Sequence, residues 1–67
     1  MSAGAAYLAI QWAYTAGRYR MHAVRELAYA RDAKGQGRAM RVRAARYWGH
    51  RSIQLRRDAR RLLTGAP

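Results

Sequence analysis

His22 and Glu26 stand four residues apart, a separation that puts an imidazole and a carboxylate on one face of a helix. That geometry is compatible with a metal ion. Two ligands fall short of a tetrahedral or octahedral shell, so a second copy would have to complete the set. A surface contact is the simpler expectation. The other groups able to move protons or attack a substrate are Asp32, Asp58, His50, Ser2, Ser52, Thr15, Thr64 and the tyrosines. They form no nucleophile, base and orienter at recognisable positions. Cysteine is absent, which removes thiolate catalysis, thiolate metal sites and disulfides. No catalytic residue, cofactor or metal site is assigned, no small-molecule substrate is implied, and an enzyme is not expected.

The segment Gly35-Gln36-Gly37, set between Lys34 and Arg38, has the composition of a phosphate cradle. The known phosphate-binding loops need more glycines at fixed spacing and a preceding strand, so these glycines read as a chain reversal. Asp32 and Asp58 stand beside arginines and read as local charge relief, in exposed pairs that contribute about 0–1 kcal/mol each.

Charge is the strongest signal. Thirteen arginines and one lysine oppose three acids, for a net charge of +11 on 67 residues. Such a density repels further copies of the chain unless anions lie nearby, and it points to nucleic acid, an acidic protein surface or anionic lipid as the partner. The joint excess of Arg and Ala fits a GC-rich coding genome, and the planar guanidinium still grips phosphate and carboxylate in a fork. Arg38, Arg43, Arg46, Arg56, Arg57, Arg60 and Arg61 project onto about 140° of one side of a helix, which makes them the candidate contacts to nucleic acid or an acidic partner. Arg41 and Arg51 border the apolar side. Tyr47 and Trp48, beside Arg46 and Arg51, have the composition of a protein-interface hot spot or of a stacking platform for unpaired bases. Trp12 and Tyr19 share that character. All four aromatics have an alternative role in packing.

Two helices carry these residues. Ser2 is a suitable N-cap, and nothing helix-breaking follows until Gly17, so a first helix is expected over 3–33. Tyr7, Ile10, Tyr14, Gly17, Met21, Val24 and Ala28 recur at alternating steps of three and four, a heptad-like seam. Leu8, Trp12, Tyr19, Ala23, Leu27 and Ala30 form a second apolar side, more than one partner helix can cover. A turn is expected over 34–37 and a second helix over 38–63, with Met40, Ala44, Tyr47, Trp48, Leu55, Ala59 and Leu62 on its apolar side. Gly65 followed by Pro67 is a stop signal. No stretch alternates with period two, so strands are not expected.

The fold class is therefore all-α, a single helical-hairpin domain at 1–67. A chain this short buries only about 60% of its unfolded surface and lacks a disulfide, so a homodimer forming a four-helix bundle is the expected source of further stability. Tyr7, Ile10, Tyr14, Met21, Val24, Met40, Leu55 and Leu62 are the expected residues of dimer or hairpin packing. The uncharged stretch 2–17 covers about 24 Å as a helix, less than the hydrocarbon core, and has no basic residues ahead of it as a secretory signal would. Contact with a membrane surface stays a minor alternative, with Trp12 and the tyrosines at the headgroups. A cytoplasmic protein is expected, in a GC-rich bacterium or its phage.

Nucleic-acid binding through phosphate contacts is the leading functional expectation. No helix-turn-helix, zinc-finger or RNA-module signature accompanies it, so base reading is not implied. The alternative is a protein-binding module, an inhibitor or adaptor that engages an acidic surface of a host regulatory protein. In size and composition the chain resembles accessory proteins of phages and other mobile elements. A peripheral-membrane or particle-assembly subunit is a third possibility.

Overall fold

The computed structural model describes residues 3–65, so the Ser2 cap and the Pro67 stop signal lie outside the described residues. Two antiparallel helices of equal length make the molecule: α1 (Ala3–Asp32) and α2 (Gly35–Thr64). Among the described residues there is no strand. Both helices are rich in Ala and Arg, which are strong helix formers.

The connection is shorter than the sequence suggests. Only Ala33 and Lys34 separate the helices, and α2 begins at Gly35 rather than Arg38. Lys34 is extended, with φ −129° and ψ 155°, and Gly35 takes φ 61°. That left-handed conformation is cheap for a residue without Cβ. The reversal is complete within one residue, which frees Gln36 and Gly37 to join the helix. At the other end Gly65, with φ 68°, turns its N–H back onto the Arg61 carbonyl, the αL cap that glycine favours.

The two helices meet along their smallest residues. Ala9, Ala16, Ala23 and Ala30 are the buried positions of α1, and Ala45, Ser52 and Ala59 those of α2. Each row repeats every seven residues, which holds it on one side of its helix. Side chains this short let the two backbones come close, and one bond measures how close. Ser52 Oγ donates to the backbone carbonyl of Ala16 at 2.7 Å. A carbonyl oxygen has two lone pairs, so it can accept this bond beside its own helical one.

A row of larger residues runs alongside. The Tyr19 and Trp48 rings lie 5.0 Å apart across the seam, and His22 lies 5.3 Å from Trp48. Nearer the tip, Arg41 Nη1 donates to both Glu26 oxygens, at 3.0 and 3.2 Å. The Arg41 guanidinium also sits 4.9 Å from the centre of the Tyr29 ring. These pairs fix an antiparallel register in which 16 faces 52, 19 faces 48 and 26 faces 41.

Of the residues expected in dimer or hairpin packing, most do not form the seam of the hairpin. Tyr7, Ile10, Tyr14, Met21 and Val24 lie exposed on the side of α1 away from α2, and Met40 and Tyr47 are exposed on α2. Leu55 and Leu62 are half-buried. Close approach explains the choice. Small residues bring whole backbones into van der Waals contact, and many weak contacts along two 30-residue helices outweigh a few large side chains. The result is long and thin, 49 × 18 × 10 Å with a radius of gyration of 15.1 Å, against about 11 Å for a compact chain of this length. No helix among the described residues is long and apolar enough to cross a membrane.

Candidate nucleic-acid interface

Because α2 turns Ala45, Ser52 and Ala59 toward α1, the residues half a turn away face solvent. Arg43, Arg46, Arg57, Arg60 and Arg61 occupy that outer side, and Arg38 and Arg56 lie nearer the seam; all seven are exposed. From Arg43 to Arg61 the row covers about 27 Å at 1.5 Å per residue. Near the tip, Arg38, Arg43 and Arg46 line one open recess with Ala39 and Val42.

Little of this charge is neutralised. Among the described residues the ion pairs are Arg41 with Glu26, and Arg61 Nη1 with Asp58 Oδ1 at 4.0 Å. Both members of the second pair are half-exposed, so water screens their attraction. Glu26 is committed to the seam. Asp58 lies beside Trp12, Arg61, Leu62 and Gly65 around a shallow recess near the helix ends. Arg51 donates to Gln54 Oε1 at 3.1 Å and is otherwise open to solvent.

The aromatic candidates separate. Trp48 and Tyr19 join across the seam, and both are half-buried, as is Trp12. Tyr47 stands outside, with its ring edge-on to Trp48 at 5.1 Å, and is 57% exposed. Trp48 therefore locks the hairpin, whereas Tyr47 presents its ring to solvent beside Arg46. His22 and Glu26 do share a face, but the first packs on Trp48 and the second binds Arg41. Among the described residues no three His, Asp or Glu side chains gather as a metal site would require.

The Ser52 bond, the Arg41–Glu26 pair and the buried Ala9, Ala16 and Ala45 escaped expectation, whereas Ala23, Ala30 and Ala59 lie on the apolar sides read from the sequence. Their signal was present in the seven-residue recurrence of small residues in both helices. Comparison with protein-family models, curated proteins and solved structures returns no match, so what this chain binds has to be argued from its own residues.

Proposed function

We propose that this chain is a small non-enzymatic binding protein that contacts nucleic-acid phosphates through the outer face of α2, and that it works in the cytoplasm as a homodimer of hairpins, four helices in all. One observation carries the reading: Arg38, Arg43, Arg46, Arg56, Arg57, Arg60 and Arg61 are all exposed along α2, and Asp58, 4.0 Å from Arg61, is the acid paired with that row among the described residues. Each arginine that meets a phosphate releases condensed counterions, so binding is strong at low salt and falls steeply as salt rises. Backbone contacts of this kind position a protein without reading bases. Sequence preference is accordingly weak.

The test is a titration against labelled double- and single-stranded DNA at several salt concentrations, repeated with Arg56, Arg57, Arg60 and Arg61 changed to Ala. Four lost phosphate contacts reduce the slope of log affinity against log salt on duplex by about 3 to 4. Binding that ignores the four changes, or that vanishes at physiological salt, would refute the reading.

The exposed Tyr47 ring favours a second reading, a module that docks on an acidic protein surface. Tyr and Arg are enriched at the centres of such interfaces. Tyr47→Ala would then abolish capture of the protein partner while leaving DNA affinity in place.

A further inference from the structure

The longest uncovered apolar feature of the molecule runs down α1, on the side away from α2. Tyr7, Ile10, Tyr14, Met21 and Val24 are each 59–69% exposed, and their steps of three and four residues keep them in one row. Gly17 sits in the middle of that row, where an added Cβ would meet nothing within 4 Å. The row from 7 to 24 is itself uncharged, but Arg18 borders it, and Arg20 and Arg25 line a recess with Met21, Val24 and Ala28 at its C-terminal end.

The surface of the whole molecule shows that a thin hairpin has area to spare for a partner. The chain exposes 5455 Å², whereas a compact protein of 7.6 kDa exposes about 4,300 Å². The excess, about 1,150 Å², exceeds the roughly 800 Å² that each partner gives up in a standard interface. A second copy brings a matching apolar stripe of the same length, with its arginines at the edge.

Charge then sets the orientation. Arg18, Arg20, Arg25 and Arg31 all lie in the C-terminal half of α1, and residues 3–17 carry no charge. Parallel pairing would set each arginine against its own copy. Antiparallel pairing lays the charged half of one helix along the uncharged half of the other. Full overlap centres on Gly17 and Arg18, where the missing Cβ lets the helix axes approach. Arg18 alone then meets its copy, at the edge of the stripe.

We infer that a second copy of the chain docks antiparallel on the stripe at 7–24 of α1, and that the pair, given the nucleic-acid reading above, holds two duplexes at once. In such a pair both α1 helices lie between the two α2 helices. Each arginine face then looks outward, so each meets a separate duplex.

The pairing is tested first without nucleic acid, in phosphate buffer whose anions screen the repulsion between two chains of +11. The chain has no cysteine, so Tyr7→Cys and Ala28→Cys variants can be oxidised alone and mixed. The mixture forms the disulfide efficiently and neither variant alone does, because only residues in close apposition can be bridged. Cross-linking of Tyr7→Cys with itself at the rate of the mixture would overturn the orientation. In sedimentation at micromolar concentration the wild type has twice the mass of 7.6 kDa, and Tyr14→Glu with Met21→Glu, which sets carboxylates against each other in this register, has the single mass; a monomeric wild type would overturn the pairing.

Bridging is read as the capture of a labelled 30-base-pair duplex on beads that carry an unlabelled one. The double Glu variant loses about a hundredfold in capture, the scale of a lost second attachment, and still binds one duplex. Equal capture by that variant would overturn the inference. Should the variant lose its helical signal, dilution of the wild type replaces it, and capture must then fall with the mass. Wild-type binding without capture sinks the bridging and leaves the nucleic-acid reading standing. Absence of any duplex binding sinks that reading, and with it the bridging, while mass and cross-linking still decide the pairing.

Discussion

Replacing Ala16 by Leu is the sharpest probe of how the helices meet. Ala16 is fully buried, at 0% exposure, and its carbonyl oxygen lies 2.7 Å from Ser52 Oγ. Leucine adds three heavy atoms where α2 already stands. The helices must part or the side chain must leave its rotamer, at about 1–3 kcal/mol. Parting also breaks the Ser52 bond, a further loss of about 1 kcal/mol. The total is about 2–4 kcal/mol, against about 3–10 kcal/mol for the whole stability of a domain of this size. Thermal melts followed by circular dichroism, at one fixed protein concentration because association shifts the midpoint, are expected to fall by about 10–30 °C. A melt within two or three degrees of wild type would mean that the helices do not touch along the small residues. A higher melt would mean that a larger side chain packs there better than alanine, and the close approach would be refuted.

Ser52→Ala keeps the size of the row and removes only the bond. Since Ala16 O retains its helical partner, the expected loss is about 0.5–1.5 kcal/mol, measured by urea titration; a loss as large as that of Ala16→Leu would show that the hydroxyl does more than bridge the two helices. Gly49→Ala works in the opposite direction. Its added Cβ meets nothing within 4 Å, so a mid-helix alanine is expected to stabilise by about 1 kcal/mol, and a lower melting point would place an unseen neighbour at that position.

Much of the architecture was legible in the chain. Gly35 and Gly65 marked the start and the end of α2, because both take left-handed backbone, whereas Gly37, which reads as part of the same turn, lies inside the helix. Helical propensity, without any two-residue alternation, settled the class. The arginine face was legible for a related reason: charges that must stay in water identify the outside of α2 whatever packs on its inside. The alanine seam is harder to read, because spacing weighted by hydrophobic size favours the larger residues. On that measure Tyr7, Ile10 and Tyr14 outrank Ala9 and Ala16. The contact between two helices also depends on how near their axes can come, which rewards the residues that add least. The Arg41 pairing was hidden for a different reason, since it joins residues 15 apart whose meeting depends on the length of the turn.

The two-residue connection also sets the order in which the molecule comes apart. Glu26 and Arg41 are 15 residues apart, whereas Ala16 and Ser52 are 36 apart. Closing the longer span costs about 0.8 kcal/mol more in chain entropy. The hairpin consequently zips from its tip and frays from its open end, with the aromatic and ionic contacts at 19–29 and 41–48 as the last to separate. Arg56, Arg57, Arg60 and Arg61 ride on the half that loosens first. On the phosphate-binding reading proposed above, the arginines that would meet a curved backbone sit where the hairpin gives way first, while the tip stays closed.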